Sequence, residues 1–148
     1  MDNLNDIFYE WSVMGEPVGK GRARITNRGG FAHAYTPKKT VDYEQSIRDA
    51  FTEKYGIVPV LEGIPLELFV RIEHGIPKSV SKKDRPFYED NLIKPMRKSD
   101  LDNVIKSVND SLQGVVFKDD IQIVYLIGSK RWSLEPKLLI QIRGAKDI

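Results

Sequence analysis

Residues 102–113 form the segment that most restricts the folds open to this chain. Apolar residues recur there with spacings of one, three and four, from Val104 to Leu112, and Gly114 follows as a natural helix stop. A helix with a single apolar stripe must cover that stripe with another layer of structure. The rest of the chain must therefore supply a layer on which this helix can pack.

Alternating apolar residues predict that this layer is a sheet. Four segments show period-two alternation and are predicted as strands, at residues 7–13, 66–72, 121–127 and 137–142. A second helix is predicted from Thr36-Pro37, with Thr36 as N-cap, to about Gly56. The expected fold class is α+β: a small, mixed, mostly antiparallel sheet with helices packed on one face, in a single domain over residues 1–148.

Three segments carry little periodicity. Residues 1–6 are predicted to be a polar tail, and residues 15–35 a long loop or loose hairpin. Residues 75–99 are polar, contain three prolines and are predicted to be a mobile basic loop, with a short helix near Ser81.

The sequence lacks cysteine and lacks long apolar segments, and both absences exclude some classes of protein. The sequence contains no cysteine, which excludes disulfides, thiolate zinc sites and a cysteine nucleophile. No segment approaches the roughly 18 consecutive apolar residues of a membrane span. We therefore expect a cytoplasmic protein without membrane contact.

Positive charge is concentrated in two of these segments, although the whole chain carries only +2. Residues 19–39 contain six basic and no acidic residues, and residues 76–99 contain seven basic and three acidic residues. Such concentration is typical of a surface that binds a polyanion, although solvated flexible loops can carry the same pattern. The candidate DNA-binding cations are Lys20, Arg22, Arg24, Arg28, Lys94, Arg97 and Lys98.

The motif S-D-L-D-N at residues 99–103 allows two structures. In the first, Ser99 caps a helix, Asp102 completes a capping box, and the two aspartates diverge because helical residues two apart point about 200° apart. In the second, the backbone is extended through Asp102, so that Asp100 and Asp102 face a common point. Lys106 would then lie one helical turn beyond Asp102.

The second structure would suit a hard cation. Mg²⁺ is bound by a few carboxylates and keeps several waters, so two or three aspartates suffice. Asp119 and Asp120 are candidates for the third carboxylate, although a pair of acidic residues before a strand is also an ordinary turn. A metal in this position could activate water and stabilise charge on a phosphoryl group.

The sequence K-S-D-L-D-N-V-I-K at residues 98–106, followed by S-V-N-D-S-L-Q-G-V-V-F-K-D-D-I-Q-I-V, resembles the core signature of the RusA family of Holliday junction resolvases. P-V-G-K-G-R-A-R at residues 17–24 also resembles the basic segment of phage-encoded members. The chain departs from the family at Ser99, where proline is common and would favour an extended Lys98.

The resemblance implies a RusA-like fold and a homodimeric, magnesium-dependent endonuclease, with Mn²⁺ as a substitute, that resolves four-way DNA junctions by paired nicks in recombination and repair. It implies that Asp100, Asp102, Asp120 and Lys106 are catalytic. The same three aspartates and Asp119 would hold metal, and Asn103 would contact DNA.

Two other classes of function fit parts of the sequence. In a non-catalytic, structure-selective DNA-binding module, the aspartates would only cap helices. A phosphatase or glycosyltransferase with a D-x-D motif is disfavoured, because residues 94–99 are polar and basic instead of a buried strand. The chain has no phosphate-loop or βαβ signature, so no nucleotide cofactor is expected.

Overall fold

The structure is a computed structural model that describes residues 4–97 and 99–146. The helices and strands follow one another as β1 (Phe8–Met14), β2 (Arg24–Arg28), β3 (Phe31–Tyr35), α1 (Lys38–Tyr55), β4 (Leu66–Gly75), α2 (Arg85–Glu89), α3 (Leu101–Leu112), β5 (Ile123–Ser133) and β6 (Lys137–Gly144). Short 3₁₀ turns lie at Leu4–Asp6 and Asp120–Gln122. None of the described helices is both long enough and apolar enough to cross a lipid bilayer.

The main sheet has the strand order β1-β6-β4-β5. The β1–β6 and β6–β4 pairs are antiparallel, and only β4–β5 is parallel. The α+β prediction with a mixed, mostly antiparallel sheet is therefore confirmed. Strands β2 and β3 pair only with each other, as a hairpin within the segment predicted to be a loop or loose hairpin.

Helices α1 and α3 pack on one face of this sheet. The alternating residues from Leu66 to Ile72 are buried there, opposite Ile47 and Phe51 of α1 and the apolar stripe of α3. The apolar pattern of α3 therefore faces the core, as its spacing requires. On the opposite face the sheet carries charged side chains, including the Arg143–Glu67 ion pair at 2.5 Å.

Several predicted boundaries shift. Helix α1 begins at Lys38 with Pro37 as N-cap and no side-chain cap, so the prediction of Thr36 as N-cap was wrong. The Thr40 hydroxyl instead accepts a hydrogen bond from the Gly21 amide at 2.8 Å. Strand β5 runs six residues past the predicted end at Ile127. In the predicted tail, Leu4–Asp6 forms a turn, and Leu4 packs against the core.

Residues 75–97 contain more structure than the sequence indicates. Helix α2 lies within this segment, beginning four residues after Ser81. The buried Asn91 side chain accepts a hydrogen bond from the Trp132 amide at 2.6 Å and donates one to the Trp132 carbonyl at 3.1 Å. These bonds attach the segment to the end of β5. Its mobility stays a prediction.

Candidate active site and nucleic-acid interface

Asp100 is the N-cap of helix α3. Its backbone is extended (φ −67°, ψ 129°), and its Oδ1 accepts hydrogen bonds from the amides of Asp102 at 2.9 Å and Asn103 at 3.4 Å. An N-cap of this kind stabilises a helix by about 1 kcal/mol. No described residue hydrogen-bonds Oδ2. Asp100 is exposed, so one carboxylate oxygen stays available to a ligand.

Both structures predicted for this motif were wrong about where the helix begins. Ser99 is not the cap, because its hydroxyl is buried and donates to the Pro17 carbonyl at 3.2 Å. The backbone is not extended through Asp102, because Leu101 is already helical. Asp100 performs the capping that Ser99 was predicted to perform.

The carboxylate of Asp102 and the ammonium of Lys106 lie on one side of α3. Their atoms are 3.5 Å apart, and both side chains are exposed. The prediction that Lys106 lies one turn along the same face is confirmed. An exposed ion pair of this kind contributes little to stability. Either group can therefore turn to a bound cation or anion at little cost in free energy.

The G-K-G segment at residues 19–21 packs against the N-termini of α1 and α3. The Lys20 amide donates to the Asn103 carbonyl at 3.3 Å. A Cβ on Gly19 would lie 3.2 Å from the Ser99 Cβ, and one on Gly21 would lie 3.0 Å from Pro37. The two glycines therefore let the chain approach α1 and α3 more closely than larger residues would.

Replacing Gly19 by Val should destabilise the protein. Branched carbons at this position would push the segment away from Ser99, and overpacking of this type typically costs about 1–3 kcal/mol. Thermal denaturation should show a melting temperature several degrees lower. Ala23→Val, at an exposed position in the same segment, is the control and should change little. Equal melting temperatures for both variants would contradict the close docking.

A cleft of about 910 Å³ lies between this segment and the N-termini of α1 and α3. Its lining includes Arg22, Arg24, Lys39, Arg97 and Asp100. The N-terminus of a helix attracts anions through its free amides and dipole. Two such ends and five lining cations, the fifth being Lys20, outweigh the carboxylates of Glu16 and Asp100 and make the cleft electropositive.

Glu16 also lines this cleft, and the sequence did not indicate it. Burial raises the pKa of its carboxyl, but bonds from His74 and the Gly75 amide, with the charge of Arg97, bring the pKa below its usual value. The Glu16 Oε2 lies 2.9 Å from His74 Nδ1. A histidine and a glutamate 58 residues apart give no signal in a single sequence.

Lys20 differs from the other predicted DNA-binding cations. Its ammonium donates to Glu44 at 3.2 Å and to Asp110. Burial lowers the pKa of Lys20, but these bonds outweigh burial and hold the pKa above its usual value. The structure therefore gives Lys20 a bridging position between α1 and α3, in which its charge is already compensated.

The other predicted DNA contacts occupy different positions. Asn103 lines the cleft together with Arg22, Arg24 and Arg97. Lys94 is exposed but does not line it. Lys98 and the side chain of Arg28 lie outside the described residues.

Asp119 and Asp120 lie beyond the opposite end of α3. Asp119 caps the 3₁₀ turn by accepting from the Ile121 amide at 3.1 Å, and Gln122 completes a capping box. Asp120 is exposed. A small loss of hydration, a hydrogen bond with Asp119 and the negative charges of Asp119 and Asp110 raise the pKa of its carboxyl. Asp110 belongs to the last turn of α3, whereas Asp100 precedes its first turn.

The predicted set of three metal-binding aspartates is therefore not brought together within one chain. Helix α3 is about 17 Å long, at 1.5 Å per residue. Asp100 lies at its start and Asp120 lies beyond its end, so the helix separates the two carboxylates. Within residues 4–97 and 99–146, no three His, Cys, Asp or Glu side chains are close enough to enclose a metal. Asp100 and Asp102 have the oxygen donors that a hard cation prefers, but Asp120 does not join them.

Comparison with known proteins identifies the family. The family model described as "Endodeoxyribonuclease RusA" matches residues 14–143, which include the cleft, α3 and the Asp119–Asp120 turn. The chain belongs to the RusA endodeoxyribonuclease family. It is also similar to an uncharacterized protein of Bacillus subtilis (strain 168), YqaN, with 35% identity over 136 residues, covering 90% of this chain and 94% of that protein.

Membership of the RusA family explains why acidic and basic groups occur side by side here. A deoxyribonuclease must hold the phosphate backbone and also stabilise the charge that develops during hydrolysis. The arginines and helix N-termini of the cleft are the candidates for the first requirement. The carboxylates at the start of α3 are the candidates for the second.

Proposed function

We propose that this protein is a magnesium-dependent endonuclease that resolves four-way DNA junctions by paired nicks in recombination and repair. The observation that carries the proposal is the position of Asp100 at the edge of an electropositive cleft, with Asp102 and Lys106 beside it on α3. The cleft would bind a phosphate backbone, and the carboxylates would lie next to the bound phosphates. Membership of an endodeoxyribonuclease family supports the same assignment.

Contacts with phosphates would dominate DNA binding. Arg22, Arg24 and Arg97 are exposed and line the same cleft. Such contacts position DNA without reading its bases, so the shape of a junction would matter more than its sequence. Binding would also weaken steeply as salt concentration rises.

Neutralising these three arginines should reduce the salt dependence of binding. For Arg22, Arg24 and Arg97 changed together to Gln, the slope of log K against log salt should fall by about 0.9 for each phosphate that an arginine no longer neutralises. Fluorescence anisotropy with a labelled junction would measure it. The matched control changes Lys78, Lys82 and Lys83, which are exposed but do not line the cleft. An unchanged slope in the arginine variant would show that the cleft does not hold DNA.

The proposed chemistry assigns separate roles to the residues at the start of α3. Asp100 and Asp102 would hold Mg²⁺, or Mn²⁺ as its substitute. When bound, the metal would lower the pKa of a coordinated water and offset charge on the phosphoryl group. Lys106 would stabilise negative charge on the phosphoryl group or the leaving oxygen.

Paired nicks require two active sites related by a twofold axis. One active site cuts one strand, and a symmetric dimer would present two sites to the two symmetric strands of a junction. A homodimer is therefore part of the proposed function.

A non-catalytic DNA-binding module is the second candidate. It is favoured by the hydrogen bonds with which Asp100 caps α3, because they give this residue a structural role without metal. The lack of a complete metal cluster among the described residues favours it as well. The two candidates differ in whether DNA is cut.

A cleavage assay distinguishes them. A synthetic four-way junction and a linear duplex of matched sequence are incubated with the protein in Mg²⁺ or in EDTA. The proposal expects cutting of the junction in Mg²⁺, little cutting of the duplex and none in EDTA. Tight junction binding without cutting in either buffer would favour the binding module.

A further inference from the structure

The hairpin of β2 and β3 stands apart from the rest of the molecule. Its two strands pair with each other along their whole length and make no comparable contact with any other helix or strand among the described residues. All five residues of β3 are exposed. An isolated two-stranded hairpin is at best marginally stable in water. Packing in the core therefore does not explain its side chains, and they are available to a partner.

The turn and the base of the hairpin define its direction. Gly29 and Gly30 both have positive φ, at 67° and 78°, as in the two-residue turns that join antiparallel strands tightly. At the opposite end, Arg24 lines the cleft, whereas residues 25–35 do not. The hairpin therefore begins at the cleft and extends away from it, over about 17 Å for five residues at 3.4 Å each.

The pairing register sorts the side chains of the hairpin onto two different faces. Side chains directly opposite each other share a face, as do residues two apart on one strand. On one face, Arg24 is opposite Tyr35 and Thr26 is opposite His33, and Phe31 lies on the same face two residues before His33. We call this the aromatic face. The other face carries Ile25, Asn27, Ala32 and Ala34.

The rings of the aromatic face are exposed. Phe31 is 72% exposed and Tyr35 is 47% exposed. Close pairs of aromatic rings among the described residues occur in the core and around Trp132, and none of them includes a ring of the hairpin. Apolar groups that are exposed together mark interaction sites on soluble proteins. The aromatic face is therefore a candidate binding surface.

The charge around the hairpin favours a nucleic acid as the occupant of this face. Residues 19–39 contain six basic and no acidic residues. Arg24 belongs both to the aromatic face and to the cleft that is proposed to bind the DNA backbone. Aromatic side chains beside a positively charged groove are the arrangement with which proteins bind unpaired bases. The same DNA could thus contact the cleft through its phosphates and the hairpin through its bases.

The spacing of residues 31, 33 and 35 suits stacked bases. Residues two apart on a strand are separated by about 6.8 Å, which is twice the rise per residue. Successive nucleotides of a stacked strand are about 3.4 Å apart. One base therefore fits between each two successive side chains of this row.

We propose that the aromatic face stacks on bases that are unpaired at the branch point of a four-way junction, with Phe31 and Tyr35 as the main stacking residues. The inference rests on the proposed function and adds how a junction is distinguished from a duplex. In a linear duplex each base is covered by its neighbours in the stack. The rings find a free base face only where the stack is interrupted, which is at the branch point.

Replacing Phe31 by Ala tests the stacking. Binding to a four-way junction and to a linear duplex of matched sequence is measured by fluorescence anisotropy in EDTA, which prevents the proposed cutting. Loss of one base stack should weaken junction binding by about tenfold or more, and duplex binding by less than about twofold. Phe31→Trp keeps a ring and should retain the junction affinity. The salt dependence should not change, because no charge is removed.

Ile25→Ala is the matched control. Ile25 is 75% exposed on the other face of the same hairpin, so its replacement should leave both affinities unchanged. If Ile25→Ala and Phe31→Ala weaken junction binding equally, these residues only support the hairpin and the stacking is wrong. If Phe31→Ala keeps the wild-type preference for the junction, the stacking is wrong while the proposed function stands. If the wild type neither prefers nor cuts the junction, the proposed function fails and this inference fails with it.

A photochemical cross-link tests the contact without any activity. Junctions carry 5-iodouracil, which on irradiation forms a covalent bond with an aromatic side chain stacked on it, either at the branch point or in the middle of an arm. Mass spectrometry should locate the adduct on Phe31 or Tyr35, and only for the label at the branch point. The Phe31→Ala/Tyr35→Ala variant should lose it. No adduct on the hairpin, or equal yields from both label positions, would overturn the proposal.

Discussion

Replacing Asp100 by Asn should lower junction cleavage by a factor of about 10³ or more while leaving the fold intact. Asparagine caps helices as well as aspartate does, so the hydrogen bonds to the amides of Asp102 and Asn103 would persist. The substitution removes only the negative charge that a hard cation requires. A 10³-fold loss corresponds to about 4 kcal/mol of transition-state stabilisation. Single-turnover cleavage and thermal denaturation would measure the two effects separately.

Asp42→Asn is the matched control for this substitution. Asp42 is an exposed aspartate near the start of α1, paired with Lys38 at 2.7 Å, and it does not line the cleft. Its replacement should leave cleavage unchanged. If Asp100→Asn cuts at the wild-type rate in Mg²⁺, then Asp100 serves only as a helix cap and the proposed metal site is wrong.

Replacing Lys106 by Ala should slow cleavage by about 10² to 10³, the usual loss when one group that stabilises transition-state charge is removed. Junction affinity should change much less, since a single cation makes a small contribution to binding through many phosphates. The melting temperature should hardly shift, because the Lys106–Asp102 pair is exposed. The rate at saturating protein and the dissociation constant are measured in parallel.

Lys38→Ala tests whether the loss is specific to Lys106. Lys38 also forms an exposed i,i+4 pair with an aspartate, but on α1 and with the lysine preceding the aspartate. Its replacement by Ala should have little effect on the cleavage rate. Equal cleavage by Lys106→Ala and wild type would remove this lysine from the mechanism, whereas equal loss of binding and rate would make it a DNA contact only.

The fold was largely predictable because its periodicities are local. The alternation from Leu66 to Ile72 predicts a strand, and the stripe on residues 102–113 predicts α3, without knowledge of their partners. The parallel pairing of β5 with β4 and the extension of β5 to Ser133 were not predictable. Pairing direction depends on the path of the chain between strands, which leaves no periodic signal.

The site was predictable in its residue types but not in its geometry. Local spacing placed Lys106 beside Asp102, since both lie on one helix. The bond from Ser99 to Pro17 joins residues 82 apart, and the bond from Lys20 to Asp110 joins residues 90 apart. These contacts decide which residue caps α3 and which lysine is already paired, and no single sequence reveals them.

The same limitation explains why the position of Asp120 relative to Asp100 was not predictable. Its order and spacing after Asp102 match the family signature, but spacing alone does not show that α3 lies between the two carboxylates. Their separation follows from the length of α3 and from the path of residues 113–119 after it.

The most direct test of the central claim is cleavage of a supercoiled plasmid that extrudes a cruciform, with products separated on a native gel. Two nicks placed symmetrically across the junction before the protein leaves would convert the plasmid to linear DNA. We expect linear product that requires Mg²⁺ and the cruciform and is lost in Asp100→Asn. Intact plasmid in Mg²⁺, or cutting that does not depend on the cruciform, would contradict the assignment as a junction-resolving nuclease.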